Sequence, residues 1–321
     1  MQRIIIAYNP RSSKHARIQE EVIRPIQKMS GYVIGKYEIK AAPVDENVAN
    51  LAKLLSDDDF LIVAGGDGTA TVGLNAAIRS KANVVLGVLG YGNFNDFARI
   101  VKTSNVKQLV SDFKKGRVQK LYPLKAKVDG KIWRYAACYF TIGMFAESTE
   151  VFDAPETRKK LRKGKKSFVY SIIQLAKWYF GSRKKEFLLG DIRMNNVRMN
   201  LEKVSRKGKI RESSSHQVSD IMFVNGKTVA KIMRGGNYWQ SSEDFFVSFG
   251  RLKGFFRLCS FMMKSMFGKM PGHVEKQPIK IDFSKEAEFE IQAEGEYMKM
   301  KARELVISKS IHGVKVVVSE S

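Results

Sequence analysis

Cysteine is scarce in this chain of 321 residues: Cys138 and Cys259 are the only two, far apart and outside any Cys-x-x-Cys or Cys/His cluster. A disulfide framework and a structural zinc site are thereby excluded, and a reducing cytoplasm fits best. Long hydrophobic runs are missing too. The N-terminal apolar stretch Ile4 to Ala7 is too short for a signal peptide or an anchor. The most apolar later run, Phe168 to Phe180, is about 13 residues with Lys177 inside it, well short of the roughly 20 that span a bilayer. The chain is expected to be soluble or bound to a membrane only at its surface. Repeats and low-complexity tracts are absent. Acidic residues are in deficit: 32 Asp and Glu against 56 Lys and Arg leave a net charge of +24. Such an imbalance favours an anionic partner, whether nucleic acid, an anionic membrane or a phosphorylated substrate.

Against this background one stretch stands out, Asp59 to Asn75. A buried-strand signal, Phe60 to Ala64, stops at Gly65-Gly66-Asp67-Gly68-Thr69, and a helix-like pattern follows. Glycines after a strand let the backbone approach a ligand, and the helix start offers free N–H donors to phosphate. Asp67 would repel a bare phosphate, so its place there points to a metal ion or to proton transfer. Before it, Ile4 to Ala7 predicts a strand ended by the polar turn Asn9-Pro10-Arg11-Ser12-Ser13. A helix carrying Ile18, Val22, Ile26 and Met29 follows, bent or interrupted at Pro25. Val33 to Ile39 predicts a second strand, and Asp45 a helix cap. After it, Val84 to Val88 ends at Gly90-Tyr91-Gly92-Asn93 and restarts as a helix over Phe94 to Val101. Strand, glycine turn and helix thus occur twice, which argues for a parallel sheet with ligands beyond the C-terminal strand ends.

Past Gly116 the pattern becomes antiparallel. Leu124 to Val128 and Ile132 to Phe140 flank an Asp129-Gly130 hairpin turn. Further strands are expected at 196–204, 218–224 with Asn225-Gly226 as a turn, 245–249, 279–283 and 288–293. The boundary falls near residue 120, giving an α/β domain over 1–120 and a β-rich domain over 121–304. Residues 305–321, with the run Val314 to Val318, suit either. Two segments mix cations with apolar residues: Glu156 to Lys166 leading into Trp178-Tyr179-Phe180, and Arg251 to Lys269 with its Phe and Met residues. That mixture suits a membrane interface, and equally helices packed on a sheet with their charges in water.

Taken in order, Asn9-Pro10, Gly65 to Thr69, Gly92 with Asn95-Asp96-Phe97-Ala98-Arg99, Ile142-Gly143 with Ala146-Glu147, and Glu294-Gly295-Glu296 resemble the diacylglycerol kinase catalytic-domain family. That family comprises soluble bacterial-type lipid kinases related to sphingosine kinases and, more distantly, to NAD kinases. The resemblance implies an α/β, two-domain NAD kinase/diacylglycerol kinase-like fold, with a Rossmann-like N-terminal domain and an antiparallel, β-sandwich-like second domain. The chain departs from the family pattern at Val72, Asn93 and Phe145, and carries Glu294 in place of an aspartate. Only Glu243 and Asp244 remain where the bacterial enzymes often place a structural metal site.

The implied activity is ATP-dependent phosphorylation of a lipid alcohol, most readily diacylglycerol, in phospholipid biosynthesis. The backbone at Gly65, Gly66, Gly68, Thr69, Gly92 and Asn93 would hold the ATP phosphates, with Asn9, Arg11, Ser12, Ser13 and Asn95 lining the site. Asp67 and Asp96 would hold Mg2+. Glu294 is the first choice for the base that takes the hydroxyl proton, with Glu296 its rival and Asp67 the third catalytic carboxylate. A peripheral position on the inner face of an anionic membrane is expected. A homodimer is allowed, and no nucleic-acid partner is expected, since no RRM, KH or helix-turn-helix pattern is present. Two alternatives stay open: a sphingoid-base or NAD kinase, and a non-catalytic basic protein on a kinase-like fold that binds membrane or nucleic acid.

Overall fold

Apolar residues that alternate between two partners build the first sheet. In the computed structural model Ile4, Ile6, Phe60, Ile62 and Ala64 pack on one face, and Ile5, Ala7, Leu61, Val63, Leu86 and Val88 on the other. Strands buried on both faces need helices on both sides, as parallel sheets do. The structure describes residues 2–92, 94–153, 191–195, 214–217, 220–230, 233–250 and 255–320, with residues 173, 176 and 177. The Lys/Arg run 156–166, nearly all of the apolar run 168–180, the strand expected at 196–204, and Asn93 lie outside the described residues.

This sheet has six strands: β1 (Gln2–Tyr8), β2 (Tyr32–Glu38), β3 (Phe60–Gly65), β4 (Val85–Gly90), β5 (Val118–Leu121) and the last strand of the chain, β18 (Val314–Val317). Their order is β2-β1-β3-β4-β18-β5, parallel except for β5. The C-terminal run, which suited either half, therefore completes the first sheet. Its helices begin with α1 (His15–Ile18) and α2 (Arg24–Gln27), joined by a π turn, Gln19–Ile23. Pro25 offers no N–H and crowds the carbonyl of Glu21; the widened turn absorbs that without breaking the helix. Next come α3 (Val44–Leu54), α4 (Asp67–Ser80), α5 (Asp96–Ile100) and α6 (Val106–Lys114). The cap expected at Asp45 is instead Pro43, and Asp45 lies in the first turn of α3. The helix expected from Phe94 starts only at Asp96, because Asn95 adopts a left-handed conformation (φ 55°).

The second sheet is antiparallel. Its strands are β6 (Leu124–Val128), β7 (Lys131–Ala136), β8 (Tyr139–Gly143), β9 (Asp191–Asn195), β10 (Ser214–Gln217) and β11 (Asp220–Val224), followed after a small β12–β13 ribbon (Thr228–Val229, Met233–Arg234) by β14 (Phe245–Gly250), β15 (His273–Glu275), β16 (Ile279–Ala293) and β17 (Glu296–Lys309). The main path runs β15-β14-β11-β8-β16-β17-β6-β7, with β9 and β10 attached through β16. Two helices complete the described part, α7 (Met144–Asp153) and α8 (Phe255–Met266).

Three sequence expectations change here. The run from Ile132 to Phe140 divides at Ala137-Cys138, where the chain leaves its pairing with β6 to enter the sheet centre beside β11 and β16. The expected strands at 279–283 and 288–293 are one strand, with an irregular register between Asp282 and Ala287. At Asn225-Gly226, expected as a turn, the chain bends from Gly226 but joins no paired strands: Asn225 is fully buried, and its amide donates to the carbonyls of Tyr122 and Ala137 at 3.0 and 2.7 Å. The Asp129-Gly130 turn behaves as expected, with φ of 46° and 78°, the two positive values of a type I′ hairpin.

The crossings between the sheets are held by Lys309. Its buried Nζ donates to the carbonyls of Tyr122 and Tyr238, at 2.8 and 2.9 Å, and to Asn225 Oδ1. Burial pulls this lysine down to about 7. Three carbonyl acceptors nevertheless match the three N–H donors that only the ammonium form carries. Among the described residues no helix is long and apolar enough to cross a membrane.

Candidate active site

Three loops leave the C-terminal ends of β1, β3 and β4 side by side. In the β1 loop Asn9 folds back on itself, its Oδ1 accepting from Arg11 N–H at 2.9 Å, while the Arg11 guanidinium donates to Lys40 O. Ser12 Oγ accepts from Lys14 N–H at 3.2 Å, and Ser13 is exposed. The β3 and β4 loops touch through their glycines. A Cβ on Gly92 would lie 2.5 Å from Gly66 Cα, so only glycine permits this approach. The loops are also bonded, Tyr91 N–H to Gly65 O at 2.7 Å, and Asn95 Oδ1 accepts from Gly92 N–H at 2.6 Å. Thr69 packs against Gly65, where a Cβ would meet its side chain at 2.5 Å. The first bond inside α4 runs from Ala70 N–H to Gly66 O, so the amides of Gly68 and Thr69 precede the helical ladder, at the end of a helix where N–H donors suit an anion.

Asp67 opens α4 and turns its carboxylate onto the start of α5, accepting from Asp96 N–H at 2.9 Å and Asn95 N–H at 3.0 Å. Burial, reinforced by the charge of Asp96, pushes Asp67 up to about 7. Asp96 is itself 1% exposed and accepts from Thr228 Oγ1 at 2.7 Å, which brings β12 from the second sheet's region to the site.

The second sheet supplies the remaining carboxylates through the β16–β17 hairpin. Glu294 and Gly295 both take positive φ, 50° and 91°, so Glu-Gly sits where a type I′ turn prefers Asn-Gly. A left-handed glutamate costs about 1–2 kcal/mol. Its side chain is buried, with Oε1 accepting from Cys138 N–H at 2.5 Å and Oε2 lying 3.0 Å from Thr71 Oγ1 on α4. Burial pushes Glu294 up to about 8; the Cys138 N–H pulls it back in part, and the charge of Asp67 adds to the rise. Thr71 Oγ1 is also 3.0 Å from Asp67 O and has one proton to give. Both contacts are satisfied together when a protonated Glu294 donates to Thr71 and Thr71 donates to the carbonyl. Glu296 differs, since its Oε2 is bound to Arg134 Nη1 at 2.7 Å, although a Cβ on Gly68 would sit 3.1 Å from its Oε1. The structure thus brings Asp67, Asp96, Glu294 and Glu296 around the start of α4, and leaves Arg11 and Ser13 on an exposed turn.

Several participants escaped the sequence reading. Lys14 reaches across from the first loop, its Nζ donating to Gly92 O at 3.1 Å. Asn75 joins the halves: its amide donates to Tyr135 O at 2.9 Å and accepts from Tyr135 N–H at 2.9 Å, extending α4 onto β7 as if it were a strand. Arg134, 2% exposed, anchors Glu296 and lies 3.6 Å from Asp45. Thr71 and Asn75, polar residues one turn apart in the apolar middle of α4, are the available signal; nothing in the sequence marks Arg134 or the Cys138 amide. Among the described residues no group of three His, Cys, Asp or Glu is placed to hold a metal, and Glu243 and Asp244 lie near Lys276, at 3.8 and 3.7 Å.

An α/β sheet with glycine loops at its C-terminal edge thus meets carboxylates supplied by an antiparallel sheet. Residues 3–126 match the family model of the diacylglycerol kinase catalytic domain. The chain is 34% identical over 99 residues to a diacylglycerol kinase of Staphylococcus carnosus, covering 30% of this chain and 32% of that one. It is 28% identical over 117 residues to an NAD kinase of Petrotoga mobilis, covering 36% of this chain and 39% of that one. The chain therefore matches about a third of the length of these relatives. The whole fold is similar to the crystal structure of a diacylglycerol kinase from Bacillus anthracis, with a TM-score of 0.67 at 15% identity over 99% of this chain and 97% of the other.

Proposed function

We propose that the protein is an ATP-dependent lipid kinase that transfers the γ-phosphate to the hydroxyl of a lipid alcohol, diacylglycerol being the favoured acceptor. One observation carries this reading: a buried carboxylate near neutrality, Glu294, faces the first turns of α4 behind the glycine loop that holds Asp67. Phosphoryl transfer asks a protein to position reactants, neutralise charge and supply one base. The amides of Gly68 and Thr69 and the Gly66–Gly92 contact form the phosphate floor, with Lys14 beside it adding positive charge. Asp67 and Asp96 repel one another, and such a pair suits a magnesium ion that takes one or two carboxylates and completes its shell with phosphate and water. The ion would neutralise charge on the phosphate oxygens. The acceptor hydroxyl oxygen forms the new bond to the γ-phosphorus as the bond to the bridging oxygen of ADP breaks, and its proton passes to ionised Glu294 Oε2. Glu296, held by Arg134, serves to position the hairpin.

The same site would phosphorylate NAD if the acceptor were an adenine nucleotide, a reading favoured by the match to an NAD kinase. Incubation with γ-labelled ATP and, in parallel, a lipid extract, diacylglycerol micelles or NAD separates the two. Labelled lipid phosphate is expected. Label in NADP alone would move the acceptor to the nucleotide, and label in none of the three would remove the kinase reading.

A further inference from the structure

Surface helices normally bury an apolar stripe and point polar residues outward. Along α8 and the turn that follows it the outermost line is apolar except for Ser260. Phe256, Met263 and Phe267, spaced i, i+7 and i+11, fall within about 40° of one line at 100° per residue, and they are 88%, 51% and 70% exposed. The opposite face, Leu258, Phe261 and Ser265, is buried, and Phe261 meets Phe145 ring to ring at 5.6 Å. Arg257 and Lys264, also seven apart, run exposed along one flank of the apolar line, and Lys269 follows the helix. No Asp or Glu occurs from Phe255 to Lys269.

We propose that α8 docks this protein on an anionic phospholipid bilayer, with Phe256, Met263 and Phe267 entering the headgroup boundary and Arg257, Lys264 and Lys269 meeting lipid phosphates. A helix of 12 residues lies in the interface and does not span it. The charge complementarity is one-signed: a basic flank on a chain of net charge +24 attracts an anionic surface, whereas a second copy packed on α8 would bring Arg257 and Lys264 against their own kind. The buried side of α8 shares its apolar cluster with Phe145 and Phe97, so the bilayer face and the region of α5 are two sides of one packed body.

This inference goes beyond the kinase reading and is tested without nucleotide or turnover, so either can fail alone. The full chain is sedimented with phosphatidylcholine vesicles and with vesicles one third phosphatidylglycerol. Preferential binding to the anionic vesicles, weakened by salt, is expected. Phe256→Ser/Met263→Ser/Phe267→Ser should lower partitioning at least about tenfold, and Arg257→Glu/Lys264→Glu by a similar factor, since each cation contributes about fivefold. Because these residues face outward, both variants should keep the wild-type thermal midpoint. A Phe256→Trp reporter should shift its emission to the blue on anionic vesicles. The proposal is overturned by wild-type binding to neither vesicle, by a triple variant that binds within twofold of wild type, by an unshifted reporter, or by a wild-type dimer in solution that the triple variant abolishes.

Discussion

Glu294 combines three circumstances that rarely meet in one residue: a left-handed backbone, complete burial and a carboxylate held near neutrality. In an unfolded chain it would ionise near 4.3 and Asp67 near 3.9, whereas folding lifts them to about 8 and about 7. The folded state then binds more protons than the unfolded state between these limits. Its stabilising contribution is complete below the unfolded values and is lost as pH rises through the folded ones. Stability should fall from about pH 5 to pH 8, by up to about 1.4 kcal/mol per pH unit for each group. Glu294→Gln mimics the protonated side chain, with an oxygen for the Cys138 amide and an N–H for Thr71. Denaturant midpoints of this variant should match wild type at pH 5 and exceed it at pH 8; equal slopes would show that Glu294 is ionised throughout. Sequence reading selected this residue through its place in an ordered set of motifs. Its burial and strain were not legible, because they depend on Cys138 and Thr71, 156 and 223 residues away.

At the level of elements, the two glycine loops are a single unit. Gly66 and Gly92 sit back to back, Asn95 closes the second loop onto itself, and Asp67 caps α5 across the gap. Gly92→Ala would place a methyl group 2.5 Å from backbone that cannot swing aside. A loss of about 1–3 kcal/mol in unfolding free energy is expected, together with weaker ATP binding by calorimetry. A variant that binds ATP as wild type does would show that the phosphates do not rest on this contact. The strand, glycine, helix pattern was legible because local propensity and tertiary packing agree there. Local signal says less at Asn225-Gly226, where the chain bends but the Asn225 side chain is held by distant partners, Tyr122, Ala137 and Lys309. At Pro25, where a bend or interruption is expected, the α-helix gives way to a π turn, Gln19–Ile23.

On the scale of the whole molecule, the site is a seam. Asp67 and Asp96 come from the parallel sheet's helices, Glu294 and Glu296 from the longest hairpin of the antiparallel sheet, and Asn75 and Lys309 fix the two halves together. The parallel half was readable from apolar periodicity. The order of the antiparallel strands was not, since β8 and β16 pair across a separation that only the folded sheet decides. Net charge points to an anionic partner without choosing one; the exposed line on α8 is what supports the proposal of a lipid surface. On the function proposed above, phosphoryl transfer needs one carboxylate from each half. This requirement is tested most directly by the rate of label transfer from γ-labelled ATP to diacylglycerol micelles in wild type, Asp67→Asn and Glu294→Gln, with folding checked by circular dichroism. Labelled phosphatidic acid from wild type and a fall of at least about a hundredfold in each variant is the result expected. Transfer at the wild-type rate by either folded variant would show that the reaction does not depend on that carboxylate.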